Sequence, residues 1–488
     1  MGTDDMSTAE DAKAFVTDYL ARNAEALNQV IDALFWYGEP AMQEERSAAL
    51  LTKTLEDAGF EVERGISGFP TGFMATFGSG KPVAAVHTEY DAAPNNSQAP
   101  GAAEKTEIVP GGPGHCEGHN VNGAVMVASA VALSRAMTQH GIPGTLKVFG
   151  APAEELVLAR PYYVRDGYFD DVDVAFHPHL WDRFFTEYGV LQRAVVSAEF
   201  IFHGETAHAA MSPWKARNAL DAALLMDSGM AQYREHLSPG MNMHRVITDG
   251  GDQPNVIPAR AAIWWFFRDP TAEGAQALYQ QARKVAEGAA MMTNTELEVV
   301  IKTAVWPVRG NETLAHALQR NIESVGMPGW SNAEHDLANR LQAANGAEQE
   351  GLKTNFETLD GPSPSIPAAN DCGDVSWKVP MGRLWYPANV PGVTFHHWSA
   401  GSALATSIAH KGGLAGAQAL ARTLIDCLTD PNLIAEAKRT FADETKGIDY
   451  APMIPAENTP PLEVNRELME TYRPAMEAHY VEPTTAFE

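Results

Sequence analysis

The sequence predicts an α/β protein: a mostly parallel sheet covered by helices, with a ferredoxin-like βαββαβ unit inserted into it. Three observations carry this. Short apolar runs alternate with helical stretches through the first 190 residues, the pattern of a parallel sheet whose connections are helices. Between residues 191 and 307 the periodicities change to strand, helix, strand, strand, helix, strand. The length, 488 residues, favours two or three domains over a single core.

Taken in chain order, the apolar residues Phe15, Tyr19, Leu20, Leu27, Ile31, Leu34 and Phe35, then Ala48, Leu51, Leu55 and Phe60, recur at helical spacing and predict two opening helices. Strands follow at residues 83–86, 146–150 and 172–176, with a helix over 122–138. In the inserted unit the strands fall at 195–202, 244–248, 261–267 and 297–305. Its helices fall at 213–235, with Ser212 as cap and Pro213 in the first turn, and at 271–292. The first domain then resumes with a polar surface excursion over 332–365, a strand at 393–395 and an Ala-rich helix over 411–428. A tail carrying six prolines from Pro452 to Pro483 is expected to be largely extended. The units are therefore 1–190 and 308–449 for the larger domain, 191–307 for the insertion and 450–488 for the tail.

Charge narrows the function. Lys and Arg number 35 against 62 Asp and Glu, a net charge of −27, which repels nucleic acid phosphates and anionic membrane surfaces. An anionic substrate would need a local basic pocket. No run approaches the roughly 18 consecutive apolar residues of a membrane span, and the mean hydropathy is −0.22. Three cysteines, Cys116, Cys372 and Cys427, cannot form a disulfide framework, and the N-terminus is acidic where a signal peptide is basic. A cytoplasmic protein is expected.

Chemistry-bearing residues cluster where apolar strands end: Glu89 and Asp91 in HTEYDAAP, Glu154 and Glu155 in FGAPAEE, His177 and His179 in VAFHPHL, His396 and His397 in VTFHHW. Ligands of open α/β sheets collect at the carboxyl ends of strands, so these clusters can converge. A fifth, GGPGHCEGHNVNG, opens a helix with His115, Cys116, Glu117 and His119. Together they supply the imidazoles and carboxylates of a two-metal hydrolytic site. Adjacent carboxylates after an apolar strand are costly unless one binds a cation and the other handles a proton. Rival motifs fail: there is no Gly-x-Ser-x-Gly elbow, and GSGKP around Lys81 lacks the first glycine of a phosphate loop and its Ser/Thr after the lysine. Cys116 beside His115 stays open as a nucleophile, although neighbours in a turn rarely face each other.

The strings HTEYDAAP, GHCEGHN, GAPAEE, FHGETAHAAMSP, GDVSWKVP and TSIAHKGG resemble, in order and over roughly residues 15–430, the amidohydrolases related to p-aminobenzoyl-glutamate hydrolase. These sit within the dinuclear-metal aminoacylase and carboxypeptidase family of peptidases. The resemblance implies a metal-binding catalytic domain, an inserted lid that also makes a homodimer, and hydrolysis of an acyl-amino acid or dipeptide amide. It implies two divalent ions per subunit on Glu117, His119, Glu155, His177 and His396, with Glu154 as general base and His208 as oxyanion donor. Substrate carboxylate recognition would fall to Asn255 in QPNVIPAR and to Arg268, which could instead pair with Asp269. Where the subfamily has Cys-Gly-His, this chain has Glu117-Gly118-His119; a harder ligand shifts preference from zinc toward manganese or cobalt. Alternatives stay open: a dipeptidase or N-carbamoyl amino acid hydrolase, a metal-poor relative that binds without hydrolysing, or a scaffolding partner.

Overall fold

The computed structural model describes residues 3–488. Three helices open the chain, Thr3–Arg22, Ala24–Tyr37 and Glu45–Asp57, where the apolar spacing predicts two. The extra break falls at Asn23, whose side-chain amide turns back to donate to the carbonyl of Tyr19 at 3.0 Å and competes with the helical ladder.

Strands follow as β1 (Glu61–Arg64), β2 (Phe73–Ser79), β3 (Val83–Thr88), β4 (Gly144–Gly150), β5 (Val174–Trp181) and β6 (Phe185–Glu187). A short β7 (Gly189–Val190) leads into the insertion, β8 (Ala194–His203), β9 (Asn242–Asp249), β10 (Arg260–Asp269) and β11 (Glu296–Val305). The return crossing is β12 (Arg309–Gly310), and β13 (Met381–Pro387) completes the larger domain. The main sheet has the order β1-β2-β4-β3-β5-β13-β6. Its centre, β4-β3-β5-β13, is parallel and its flanks are antiparallel. The carboxyl ends of β3, β4, β5 and β13 therefore share one edge, where ligands of such sheets bind.

The helices His119–His140 and Ser407–Thr429 cover one face of this sheet and pack into its core. His119–His140 is long and apolar enough by composition to cross a bilayer, but 89% of its apolar window is buried in the protein, so its composition reflects a two-sided core position. The insertion is an antiparallel sheet in the order β11-β8-β10-β9, with the helices Ala219–Tyr233 and Ala272–Thr293 packed against it. That is the predicted βαββαβ order. The two crossings between domains, β7 and β12, pair with each other.

Four expectations are corrected. The first insertion helix begins at Ala219: Pro213–Lys215 forms only a single 3-10 turn, Arg217 pairs back across the chain to Glu205, and Asn218 is the true cap, accepting from the Leu220 and Asp221 amides. The polar stretch 332–365 contains a helix, Asn332–Ala344, with a Ser331/Glu334 capping box. Residues 393–395 form no strand, because the chain turns between Gly392 and His396, both at positive φ; the last strand is β13. The tail is not wholly extended, since Arg466–Met476 is a helix whose Pro474 falls in the last turn.

Candidate metal centre and active-site cavity

Each strand end delivers its groups by a local device. After β3 come Glu89 and Asp91, both fully buried. The loop before helix His119–His140 turns at Gly118, whose φ of +81° and closeness to Leu180 admit no side chain. That corner aims Glu117 and His119 at one point. After β4, Glu154–Leu156 forms a 3-10 turn between Ala153 (φ 59°) and Val157 (φ 51°), two left-handed positions that cost energy for residues with a Cβ. Buried partners hold the turn: Glu44 accepts the Ala153 amide at 2.8 Å, Asp91 accepts the Glu155 amide at 3.0 Å, and Thr303 donates to the Val157 carbonyl at 2.7 Å. His396 is also left-handed, at φ 57°.

The groups converge. His119 Nδ1 meets Asp91 at 3.0 Å, which leaves Nε2 facing inward, 3.7 Å from Glu154 and 3.8 Å from Glu117. His396 Nε2 lies 2.6 Å from Glu117 and 3.3 Å from Glu155. His179 Nε2 stands 3.5 Å from Glu89, its Nδ1 engaged by the Leu180 carbonyl at 2.8 Å. Three overlapping triads, each with its ligand atoms within 4.8 Å of one another, are Glu117–Glu155–His396, Glu117–His119–Glu154 and Glu89–His119–His179. Glu117 and His119 are each shared by two. A cavity of about 240 Å³ opens onto Glu117, Glu154, Glu155, His179 and His396, with Arg268 and Phe266 of the inserted domain on its far side.

Electrostatics show what this cluster lacks. Burial pushes Glu154 well above the usual carboxylate range, and burial with the charge of Glu117 pushes Glu155 up to about 8. Burial is the largest single influence on Glu117 and acts to raise it, but the hydrogen bond to His396 and the charges of His396, His119 and His179 together lower it. His179 is depressed to about 4 by burial and so is a neutral imidazole, the form that binds metal. Cys116 is buried and its thiol raised well above normal, which removes it as a nucleophile. Carboxylates crowded at this density, together with a buried His119 Nε2 that has no hydrogen-bond partner among the described residues, are the features a divalent cation would satisfy. The donor set fits one.

A pH dependence follows. His396 is raised to about 9, first by its hydrogen bond to Glu117. Without metal, Glu155 and His396 hold protons more tightly in the folded protein than in the unfolded chain, where their values are 4.5 and 6.5. Stability from such groups is complete below the unfolded values and is lost as pH rises through the folded ones. Glu117, shifted down, acts only at acid pH. Chelator-treated protein is therefore expected to lose Tm between about pH 4.5 and 9, most steeply above about 6.5 where both groups contribute, and manganese-saturated protein much less; parallel profiles would count against the cluster as the metal site.

The structure brings together Glu117, His119, Glu154, Glu155, His396 and Arg268 of the residues singled out from the sequence. It separates three. His177 lies one level down β5, wholly buried, its Nε2 held by both oxygens of Glu89 at 3.0 and 3.1 Å. His179, two residues nearer the strand end on the same face, occupies the cluster in its place. His208 and Asn255 sit together on exposed loops of the inserted domain, linked by the Ala209 amide donating to the Asn255 carbonyl at 3.0 Å, and neither lines the cavity. Asp91, which orients His119 and anchors the Glu155 amide, and Glu89, paired with Arg160, are the supporting residues the sequence motifs left without a role.

The peptidase dimerisation domain family matches residues 190–291, the span of the inserted unit up to its second helix. The chain is 33% identical to one subunit of the p-aminobenzoyl-glutamate hydrolase of Escherichia coli, over 91% of this chain and 98% of that protein. It is 26% identical to a mouse Xaa-Arg dipeptidase, over 90% and 94% respectively. A dinuclear metal-binding peptidase of the M20 family from Bacillus subtilis shares the fold with a TM-score of 0.53 at 20% identity, covering 84% of this chain and 99% of that one.

Proposed function

From a chain that belongs to the amidohydrolase family of p-aminobenzoyl-glutamate hydrolase, among the dinuclear-metal aminoacylases and carboxypeptidases, and is a metal-dependent hydrolase of amide bonds, we propose an enzyme that releases an amino acid from an acyl-amino acid. The observation that supports this best is the adjacent pair Glu154–Glu155, the first buried, on a strained turn beside an unpartnered His119 nitrogen, the two carboxylates lining a cavity that also holds Arg268. Two divalent ions, held by Glu117, His119, Glu155, His179 and His396, would supply the charge that acidifies a water and polarises an amide carbonyl.

This chain's own groups do the rest. Asp91 fixes the His119 ring so that Nε2 faces the carboxylates of Glu117 and Glu154. Glu154 takes the proton of the attacking water at a carboxylate oxygen and returns it to the leaving nitrogen, a task suited to a carboxyl whose proton affinity is raised. Arg268, largely buried, offers a guanidinium to a substrate carboxylate from the lid side. His208 Nδ1 accepts the Ala210 and Met211 amides at 3.2 and 3.3 Å, so its Nε2–H is left to donate to an oxyanion.

A homodimer follows in this reading. Edge strand β9 exposes Val246 and Ile247, and the neighbouring helix Ala219–Tyr233 exposes Leu224 and Leu225, an apolar strip at an unpaired sheet edge. Three free, buried cysteines suit a reducing cytoplasm. For the metal, we assign manganese or cobalt over zinc on the strength of Glu117. Glu117→Cys is expected to shift activation toward zinc at unchanged stoichiometry; if preference and stoichiometry both stay as in wild type, Glu117 is a loop carboxylate and not a ligand. The activity itself is tested by mass spectrometry of products from a library of acyl-amino acids, dipeptides and N-carbamoyl amino acids, run with manganese, cobalt and zinc. Release of free amino acid from the acyl class is the expected result, and turnover confined to carbamoyl compounds would displace it.

A further inference from the structure

Glu44 stands at the cap position of helix Glu45–Asp57, yet its side chain makes no bond to that helix. Glu39 does the capping instead, accepting the amides of Arg46 and Ser47 at 3.1 and 3.0 Å. The freed carboxylate of Glu44 turns inward and is fully buried. Its Oε1 accepts the Met42 amide at 3.0 Å and the Ala153 amide at 2.8 Å, and its Oε2 accepts the Thr71 hydroxyl at 2.9 Å. Met42 and Ala153 are both left-handed, at φ 70° and 59°, so one oxygen holds two strained residues from distant parts of the chain. Glu39 meets a cation, Arg473, at 3.2 Å, whereas Glu44 has only neutral donors among the described residues. A buried carboxylate without a cation is costly, and strain kept at such a cost clusters at functional sites.

What this carboxylate reaches is the backbone beside the base. Glu154 directly follows Ala153, and on its other side the Glu155 amide is accepted by Asp91 at 3.0 Å. One carboxylate therefore grips the residue before the base and another the residue after it. The two grips are tied together: Thr71, which donates to Glu44, accepts with its carbonyl the hydroxyl of Tyr90, the neighbour of Asp91, at 2.5 Å. The backbone at Ala153 sets the direction of the Glu154 side chain, whose oxygen stands 3.7 Å from His119 Nε2. Without the bond to Glu44, Ala153 is free to leave the left-handed region, and Glu154 swings with it. A misplacement of about 1 Å at a reacting group costs on the order of 100-fold in rate.

We propose that Glu44 is a positioning residue for the general base: through the Ala153 amide it holds Glu154 in line with the attacking water. It touches neither substrate nor metal. The inference rests on the amide-hydrolase reading above, with Glu154 as base. It is tested with manganese-loaded enzyme on a panel of N-acetyl- and N-benzoyl-amino acids, with kinetic constants measured on the compound that wild type turns over fastest.

Glu44→Met, similar in volume but without an acceptor, should lower kcat about 30-fold, leave KM within about threefold and keep metal content at the wild-type level. Glu44→Gln still presents an oxygen to the Ala153 amide and should stay within about fivefold of wild type. In the Glu154→Gln background, Glu44→Met should change the residual kcat by less than about twofold, because no base is left to position; mere structural support would lower it again by the full factor. Should Glu44→Met not fold, Glu44→Asp, whose acceptor is one methylene short, carries the same expectation at about tenfold. Undiminished kcat in Glu44→Met, an equal loss in Glu44→Gln, a loss of metal, or a further loss in the Glu154→Gln background would make Glu44 structural and overturn the proposal. Wild type that cleaves nothing in the panel removes the hydrolase reading and this proposal with it. Wild type that cleaves while Glu44→Met is unimpaired removes the proposal alone.

Discussion

Glu154→Gln is expected to lower kcat about a thousandfold while metal content stays at the wild-type level. The substitution keeps the size and hydrogen-bonding reach of a side chain that is 6% exposed, and it removes only the ability to take a proton. Glu154 is also the one of the two adjacent carboxylates whose oxygen faces His119, at 3.7 Å, whereas Glu155 faces His396 at 3.3 Å. The contrast variant is therefore Glu155→Gln, which should reduce bound metal, measured by elemental analysis, and lose activity for that reason. Retention of more than a few per cent of kcat by Glu154→Gln would remove its role as base. Loss of metal in Glu154→Gln would instead make it a ligand, as the triad Glu117–His119–Glu154 permits. The metal-free form of Glu154→Gln should also be at least as stable as wild type near neutral pH, since burial already disfavours the charge it removes.

What the sequence made legible was whatever is local. Glu154 and Glu155 stand out because two carboxylates directly follow an apolar strand, and the βαββαβ unit because each of its elements has a clear period over its own length. The choice between His177 and His179 is of another kind. Both lie on one face of β5, and only the sheet, which puts the later residue at the ligand edge, separates them. Strand β13 was hidden for a related reason: all seven of its residues are buried, so it has no alternation, and Gly382 and Pro387 suggest a loop. The helix Asn332–Ala344 did leave a signal, Ser331 with Glu334 three residues on, which the surrounding polar composition masked.

His208→Ala is expected to lower kcat by about 100- to 1000-fold, the loss of one oxyanion donor, with bound metal unchanged. The group is far from the cavity of its own chain. Arg268, which lines that cavity, pairs with Val195, whereas His203, just before the loop of His208, pairs with Arg260 at the other end of the same ladder. Eight residue steps of strand separate Val195 from His203, roughly 26 Å at about 3.3 Å per residue. Beside His208 the loop exposes Met211 at 73% and Trp214 at 77%, large apolar side chains that a second copy of the chain would cover. Pairing through β9 would carry this loop toward the partner's site, so catalysis would need one group from each chain. Glu154→Gln and His208→Ala protomers, each inactive alone, then give a heterodimer in which one of the two sites has both groups intact. Such heterodimers, isolated by two affinity tags, are expected to show about half the wild-type kcat per dimer, because the second site carries both defects. If His208 acted within its own chain, both sites of the heterodimer would be defective and no activity would return.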